Sequence, residues 1–170
     1  MKLTVREIVI FGVLSAMMYA SKLAMDFLPN IHLIGVFVIA LTVVYRKKAL
    51  YPIYAFVFIS GLFSAFSAWW LPYLYIWLVL WCWVMVLPKD INPKIKPLVY
   101  MCICSLHGFL YGILYAPVQM LVFGMSFKAI IAWIIVGLPW DLLHGAGNFF
   151  CAVLVCPIIK ALKYGEKYSR

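Results

Sequence analysis

The sequence is short of charge, and of negative charge above all. Only five of its 170 residues are Asp or Glu, and charged side chains make up 11% of the chain. A soluble domain carries about 25%, so too few charges are present to cover a water-facing surface. Also missing are long polar loops, internal repeats and a paired cysteine framework. The five cysteines (Cys82, Cys102, Cys104, Cys151, Cys156) all lie inside apolar stretches. An odd, buried set argues against disulfides, and the Cys102/Cys104 spacing is too tight for a metal site. Neither a metal nor a cofactor is expected. No HExxH, GxSxG or GxxxxGK[ST] motif and no clustered acidic pair occurs, which argues against an enzyme and against ATP hydrolysis by this chain itself.

What is present is hydrocarbon and aromatic surface: 68% hydrophobic, 18% aromatic, mean hydropathy +1.07. These values describe an integral membrane protein. The net charge of +9 raises the question of nucleic acid, but its placement points to membrane topology. Lys2 and Arg6, then Arg46, Lys47 and Lys48, then Lys89, Lys94 and Lys96, then Lys160, Lys163, Lys167 and Arg170 fall in alternate gaps between apolar runs. Those are all but two of the 14 basic residues; Lys22 and Lys128 remain for the other side. The fold class expected is therefore all-α, a single transmembrane domain over 1–170 with six spans and both termini cytoplasmic. The helices are expected at about 6–28, 31–45, 49–67, 71–88, 97–123 and 139–163. A short outer helix is expected at 127–138, with Pro139 opening the sixth span. The first apolar run is long enough to span and lacks a small-residue cleavage site, so no signal peptide is required.

Polar groups inside spans are costly, and here they gather in the outer halves. Lys22 and Asp26 stand one turn apart near the end of the first helix, followed by Asn30 and His32 in the first outer loop. Tyr111, Tyr115 and Gln119 share a stripe on the fifth helix, with His107 one turn deeper. Asp141, His144 and Asn148 recur on one face of the sixth; Asp141 also suits a structural part, capping that helix or pairing with Lys22. The stretch WWLPYLYIWLVLWCWVM (69–85) holds five of the seven tryptophans. Within it Trp70, Tyr73, Trp77 and Trp81 share one face. An interfacial belt explains Trp69 and Trp70, but not rings two and three turns deeper. The candidate binding set is Trp70, Tyr73, Trp77, His107, Tyr111, Tyr115, Gln119, Asp141, His144 and Asn148. Such residues suit a planar heteroaromatic molecule held between rings and hydrogen-bonded at its heteroatoms. With few fixed charges the pocket suits a neutral or weakly charged ligand: a pterin, pyrimidine, deazapurine or indole.

Small residues form a separate pattern. Gly12, Ala16 and Ala20 repeat every four positions on the first helix, and Gly108 and Gly112 on the fifth. Such faces let helices approach closely in lipid; packing within the chain is expected for the fifth helix, an external partner for the first.

With six spans, the pair Ala16-Met-Met-Tyr-Ala20 and the segment GLPWDLLHGAGNFF (137–150), the chain resembles the substrate-binding S components of energy-coupling factor (ECF) vitamin transporters. The second segment is similar to a Gly-[hydrophobic]-Pro-x-Asp-Leu-x-His-x-x-x-Asn stretch opening the last helix of several of them. The resemblance covers essentially the whole chain. It implies capture of a vitamin or related heteroaromatic micronutrient on the extracellular side of a bacterial plasma membrane, between helices 4, 5 and 6 and the first outer loops. It also implies docking, through the Gly12/Ala16/Ala20 face, on a transmembrane T component driven by two cytoplasmic ATPase subunits. Two other readings compete: a six-helix membrane scaffold of the cell-shape and cell-wall machinery, and a stand-alone small-molecule carrier.

Overall fold

The computed structural model describes residues 2–167, and every regular element among them is helical. In chain order these are α1 (Val5–Ala24), α2 (Ile34–Tyr45), α3 (Leu50–Ser64), α4 (Tyr73–Val86), α5 (Lys96–Phe109), α6 (Tyr111–Phe123), α7 (Phe127–Cys151) and α8 (Val155–Lys167). Short 3-10 turns at Arg46–Ala49 and Ala152–Leu154 join α2 to α3 and α7 to α8. Three helical stretches are long and apolar enough to cross a membrane: Val5–Ala24, Lys96–Phe123 and Phe127–Lys167. Tyr73–Val86 is apolar but shorter.

The centre of the bundle is α2. Its sequence, IGVFVIALTVVY, has no polar face, and a helix that is apolar all round is stable only when covered all round. Every residue from Ile34 to Thr42 is buried, with α4 and α8 packed against it. Twelve residues at 1.5 Å each give roughly 18 Å, well short of a bilayer's hydrocarbon thickness. Around this core α1 packs on α3, and α5 and α6 both pack on α7.

Glycines set the closest of these crossings. A Cβ on Gly108 would lie 2.8 Å from the Gly145 Cα, and one on Gly112 would lie 2.3 Å from an Asp141 carboxylate oxygen. The Gly108/Gly112 face therefore meets α7. The Ser105 hydroxyl bonds the Gly145 carbonyl at 2.9 Å across the same crossing.

Basic groups collect at one end. Thr4 and Glu7 cap α1 reciprocally, and the Lys48 ammonium donates to Glu7. Arg46 donates to the Met85 carbonyl at 2.9 Å and accepts, through its own carbonyl, from the Trp81 indole at 3.1 Å. Glu166, near the end of α8, shares a cavity with Thr4, Arg6 and Lys48.

Several expectations about boundaries are corrected: the first helix ends at Ala24, the second begins at Ile34, and the fifth is divided at Leu110 into α5 and α6. No break occurs at Pro139: α7 runs unbroken from Phe127 to Cys151 with the proline inside it. A proline removes one helix hydrogen bond and crowds the carbonyl four residues back. Membrane helices tolerate this because neighbouring groups satisfy what the proline frees. The interruption falls instead at Ala152–Leu154. The third helix also stops earlier than expected, at Ser64, where Ala65 turns to φ 68° and sends residues 65–72 back over the bundle. The Trp70 indole donates to the Val57 carbonyl at 2.8 Å, and the Tyr115 hydroxyl to the Trp69 carbonyl at 2.7 Å. This loop is clamped from both sides.

Candidate functional site

At the end opposite the basic cluster, the loop between α1 and α2 lies over α7. The Asn30 amide donates to the Trp140 carbonyl at 3.3 Å, and Ile31 fits against Gly147, where a Cβ would stand 3.0 Å from it. Asn30 itself holds φ 57°, a turn that an asparagine tolerates better than most residues. The loop thereby directs His32 into the bundle. Beneath it is a cavity of about 180 Å³, walled by the loop, by Lys22 of α1 and by Tyr73, Tyr111 and His144.

The rings around this cavity are in mutual contact. His144 lies 4.6 Å from Tyr111 and 4.9 Å from His32, centroid to centroid, both edge to face. Trp77 stands behind them, 5.5 Å from Tyr73, 5.6 Å from His107 and 6.0 Å from His32. These residues come from α4, α5, α6, α7 and one loop. Tyr73 and Trp77 are one turn apart on α4; His107 and Tyr111 are four apart across the Leu110 joint.

What sets the cluster apart is its unmade hydrogen bonds. His144 is 1% exposed, and neither of its ring nitrogens has a partner. The Trp77 indole N–H, His32 Nδ1 and His107 Nδ1 are likewise buried without one. His107 Nε2 lies 3.1 Å from the Ile76 carbonyl. A carbonyl only accepts, so that nitrogen carries the proton and Nδ1 is left as a bare acceptor. Burial holds His32 neutral, lowering it to about pKa 4. Each unsatisfied buried group costs about 1–3 kcal/mol. A packed core would be expected to fill or pair these positions.

Of the ten residues expected to bind, Tyr73, Trp77, His107, Tyr111 and His144 form this cluster, and Tyr115 packs at its edge, its ring tilted against Tyr111 at 5.1 Å. The other four are placed elsewhere. Trp70 faces α3, as described. Gln119, one turn beyond Tyr115, does not line this cavity. Asn148 is buried in the α5–α7 crossing, its amide donating to the Cys104 carbonyl at 3.3 Å, although its Oδ1 is unpartnered. Asp141 accepts the Gly112 N–H with both oxygens, at 3.1 and 3.2 Å. It thus caps the start of α6, neither its own helix nor a partner of Lys22. Lys22 instead faces Asp26 at 4.0 Å.

The residue that the sequence reading left out of the binding set is His32. The signal available was scarcity: the chain has three histidines, all expected at the same membrane face, and all three join this cluster. Among the described residues no three His, Cys, Asp or Glu side chains gather as a metal-binding group. On α1, Gly12, Ala16 and Ala20 are exposed and a Cβ on Gly12 would meet nothing within 4 Å. The opposite face, with Phe11, Leu14, Ser15 and Met18, is buried.

Comparison of the chain with protein-family models, with curated proteins and with solved structures finds no match.

Proposed function

We propose that this protein is a membrane-embedded receptor for a small planar heteroaromatic solute, working as the S component of an ECF-type importer. In this reading six segments span the bilayer, the basic end faces the cytoplasm, and the histidine cavity opens to the outside. The observation that carries the reading is the pair of unpartnered buried histidines, His32 and His144, that line the cavity, backed by the unpartnered nitrogens of Trp77 and His107 in the rings packed behind them. Neutral imidazole and indole groups offer both donors and acceptors, and the tyrosines add flat apolar walls. A planar molecule with donors and acceptors along its edge satisfies atoms that otherwise cost stability; an apolar one leaves them unpaired, which is the source of selectivity.

The reading further assigns the exposed Gly12/Ala16/Ala20 face of α1 to docking on a transmembrane partner coupled to two cytoplasmic ATPases. Small residues there admit close helix approach without the chain using that face itself. The chain is in this view not an enzyme, and transport energy comes from its partners.

The test is purification from cells grown in rich medium, followed by mass spectrometry of extracted small molecules from wild type and His144→Leu. A heteroaromatic compound enriched in the wild-type extract is expected. Identical, empty extracts from protein that remains folded would end the receptor reading. For docking, Ala16→Trp is expected to abolish uptake while retaining the bound compound; loss of both together would reassign that face.

A further inference from the structure

A second cavity, of about 420 Å³, lies between α6 and α7 beside the first. Its lining residues include four aromatics, Tyr111, Tyr115, Trp133 and Trp140, and one acid, Asp141; no basic residue contributes. Asp141 is 7% exposed. Its carboxylate takes the Gly112 N–H, but no cation stands within 4.0 Å of it among the described residues, where the ion pairs are Lys22–Asp26 and Lys48–Glu7. A buried carboxylate without a countercharge is strongly disfavoured. Aromatic faces carry negative potential and attract organic cations, most strongly where water is excluded.

We infer that this groove is a subsite for a positively charged organic group of the quaternary or N-alkylated ammonium type. Asp141 supplies the charge, and Trp133, Trp140, Tyr111 and Tyr115 supply ring surface. The Gly112 N–H holds the carboxylate in place, so one residue both caps α6 and faces the groove. Tyr111, Pro29 and Asn30 line both cavities. One molecule with a planar part and a charged part therefore reaches both; that last step rests on the receptor reading, whereas the subsite itself does not.

The probes are choline and its uncharged isostere 3,3-dimethylbutan-1-ol, titrated calorimetrically into the full chain in maltoside detergent. Choline is expected to bind at millimolar concentration, and the alcohol at least about tenfold more weakly. Asp141→Asn keeps an oxygen for the Gly112 N–H and removes the charge. It should melt like wild type yet lose about tenfold in choline affinity. Trp140→Leu should weaken choline severalfold. Equal affinity for choline and the alcohol, no choline binding, or an Asp141→Asn variant that binds choline as wild type does would each overturn the inference. Repeating the titration in phosphatidylglycerol and phosphatidylcholine nanodiscs identifies the source of the cation. Equal affinity in both points to a soluble cation, and weaker binding in phosphatidylcholine to a lipid headgroup that competes for the same subsite.

Discussion

The two ends of the molecule hold cavities of similar size and opposite condition. The one at the basic end, about 240 Å³, is lined by Thr4, Arg6, Glu7, Lys48 and Glu166 among others. Its polar groups answer one another: Thr4 and Glu7 cap α1 together, and Lys48 pairs with Glu7. The one at the histidine end, about 180 Å³, is lined by His32 and His144 and backed by Trp77 and His107, and each of these four has at least one buried nitrogen with no hydrogen-bond partner in the protein. A folding chain gains by satisfying its own polar atoms, and at the basic end this one does so. Several left without a protein partner in one place cost stability unless something outside the chain pairs with them. On the receptor reading proposed above, the first end is architecture and the second is where the solute is recognised.

The strongest attempt to break that contrast is His144→Leu. Leucine has about the volume of the imidazole and no polar atoms, so it removes two buried unsatisfied nitrogens. In the empty protein this should leave thermal stability unchanged or raise it by about 1–3 kcal/mol. Retention of the co-purifying solute should fall by about 100-fold, the equivalent of two hydrogen bonds of about 1–1.5 kcal/mol each. Stability and binding thus move in opposite directions. A variant that is destabilised and still retains the solute would show His144 to be ordinary core.

The sequence made the general architecture legible because hydropathy and the spacing of basic residues are linear signals. Apolar runs marked the helices, and the gaps carrying Arg46, Lys48 and Lys2–Arg6 do gather at one end of the bundle. The clustering of the candidate residues was legible by face but not by depth of commitment. Tyr73, Trp77, His107, Tyr111 and His144 share one cluster, as their helical spacing suggested. Asp141 and Asn148 share a helix face with His144, yet packing commits Asp141 to the Gly112 N–H and Asn148 to the Cys104 carbonyl. No periodicity distinguishes a polar side chain already bonded across a helix crossing from one left open. His32 escaped because a loop has no period at all; its direction depends on Asn30 and Ile31 gripping α7. Pro139 misled because the rule that proline opens a helix is one of water-exposed helices, and here the chain continues through it.

Acid sharpens the comparison next. Burial lowers His32 from the ordinary 6.5 to about 4, so its unfolded form takes up a proton well before the folded form does. Stability tied to this residue is complete above pH 6.5 and is lost as pH falls from there towards 4. At pH 5 the loss amounts to about 2 kcal/mol. Charged and titratable neighbours at this end are Lys22, Asp26, Tyr73, His107, Tyr111 and His144, and the like charges of His107 and Lys22 act in the same direction as burial. Thermal melts of wild type and His32→Leu between pH 8 and pH 5 are expected to diverge, with wild type falling more steeply. Solute retention should hold down to about pH 5 and fail as His32 charges, whereas an exposed histidine would lose it near 6.5. Parallel melting curves would mean that His32 is solvated.

The smallest effect belongs to the basic end, and its smallness is the point. Thr4→Ala removes the side-chain acceptor for the Glu7 N–H at 3.2 Å and one half of the reciprocal cap. Loss of an N-cap costs about 1 kcal/mol, and the first turn of α1 should fray accordingly. Because the cavity there is satisfied from within, nothing bound elsewhere depends on it: solute retention and its pH profile should match wild type. The quantity to measure is retention at matched fractions folded, so that the small loss of stability is not mistaken for loss of binding. If retention fell with Thr4→Ala after that correction, the two ends would be energetically coupled, and the separation of a structural end from a recognising end would have to be given up.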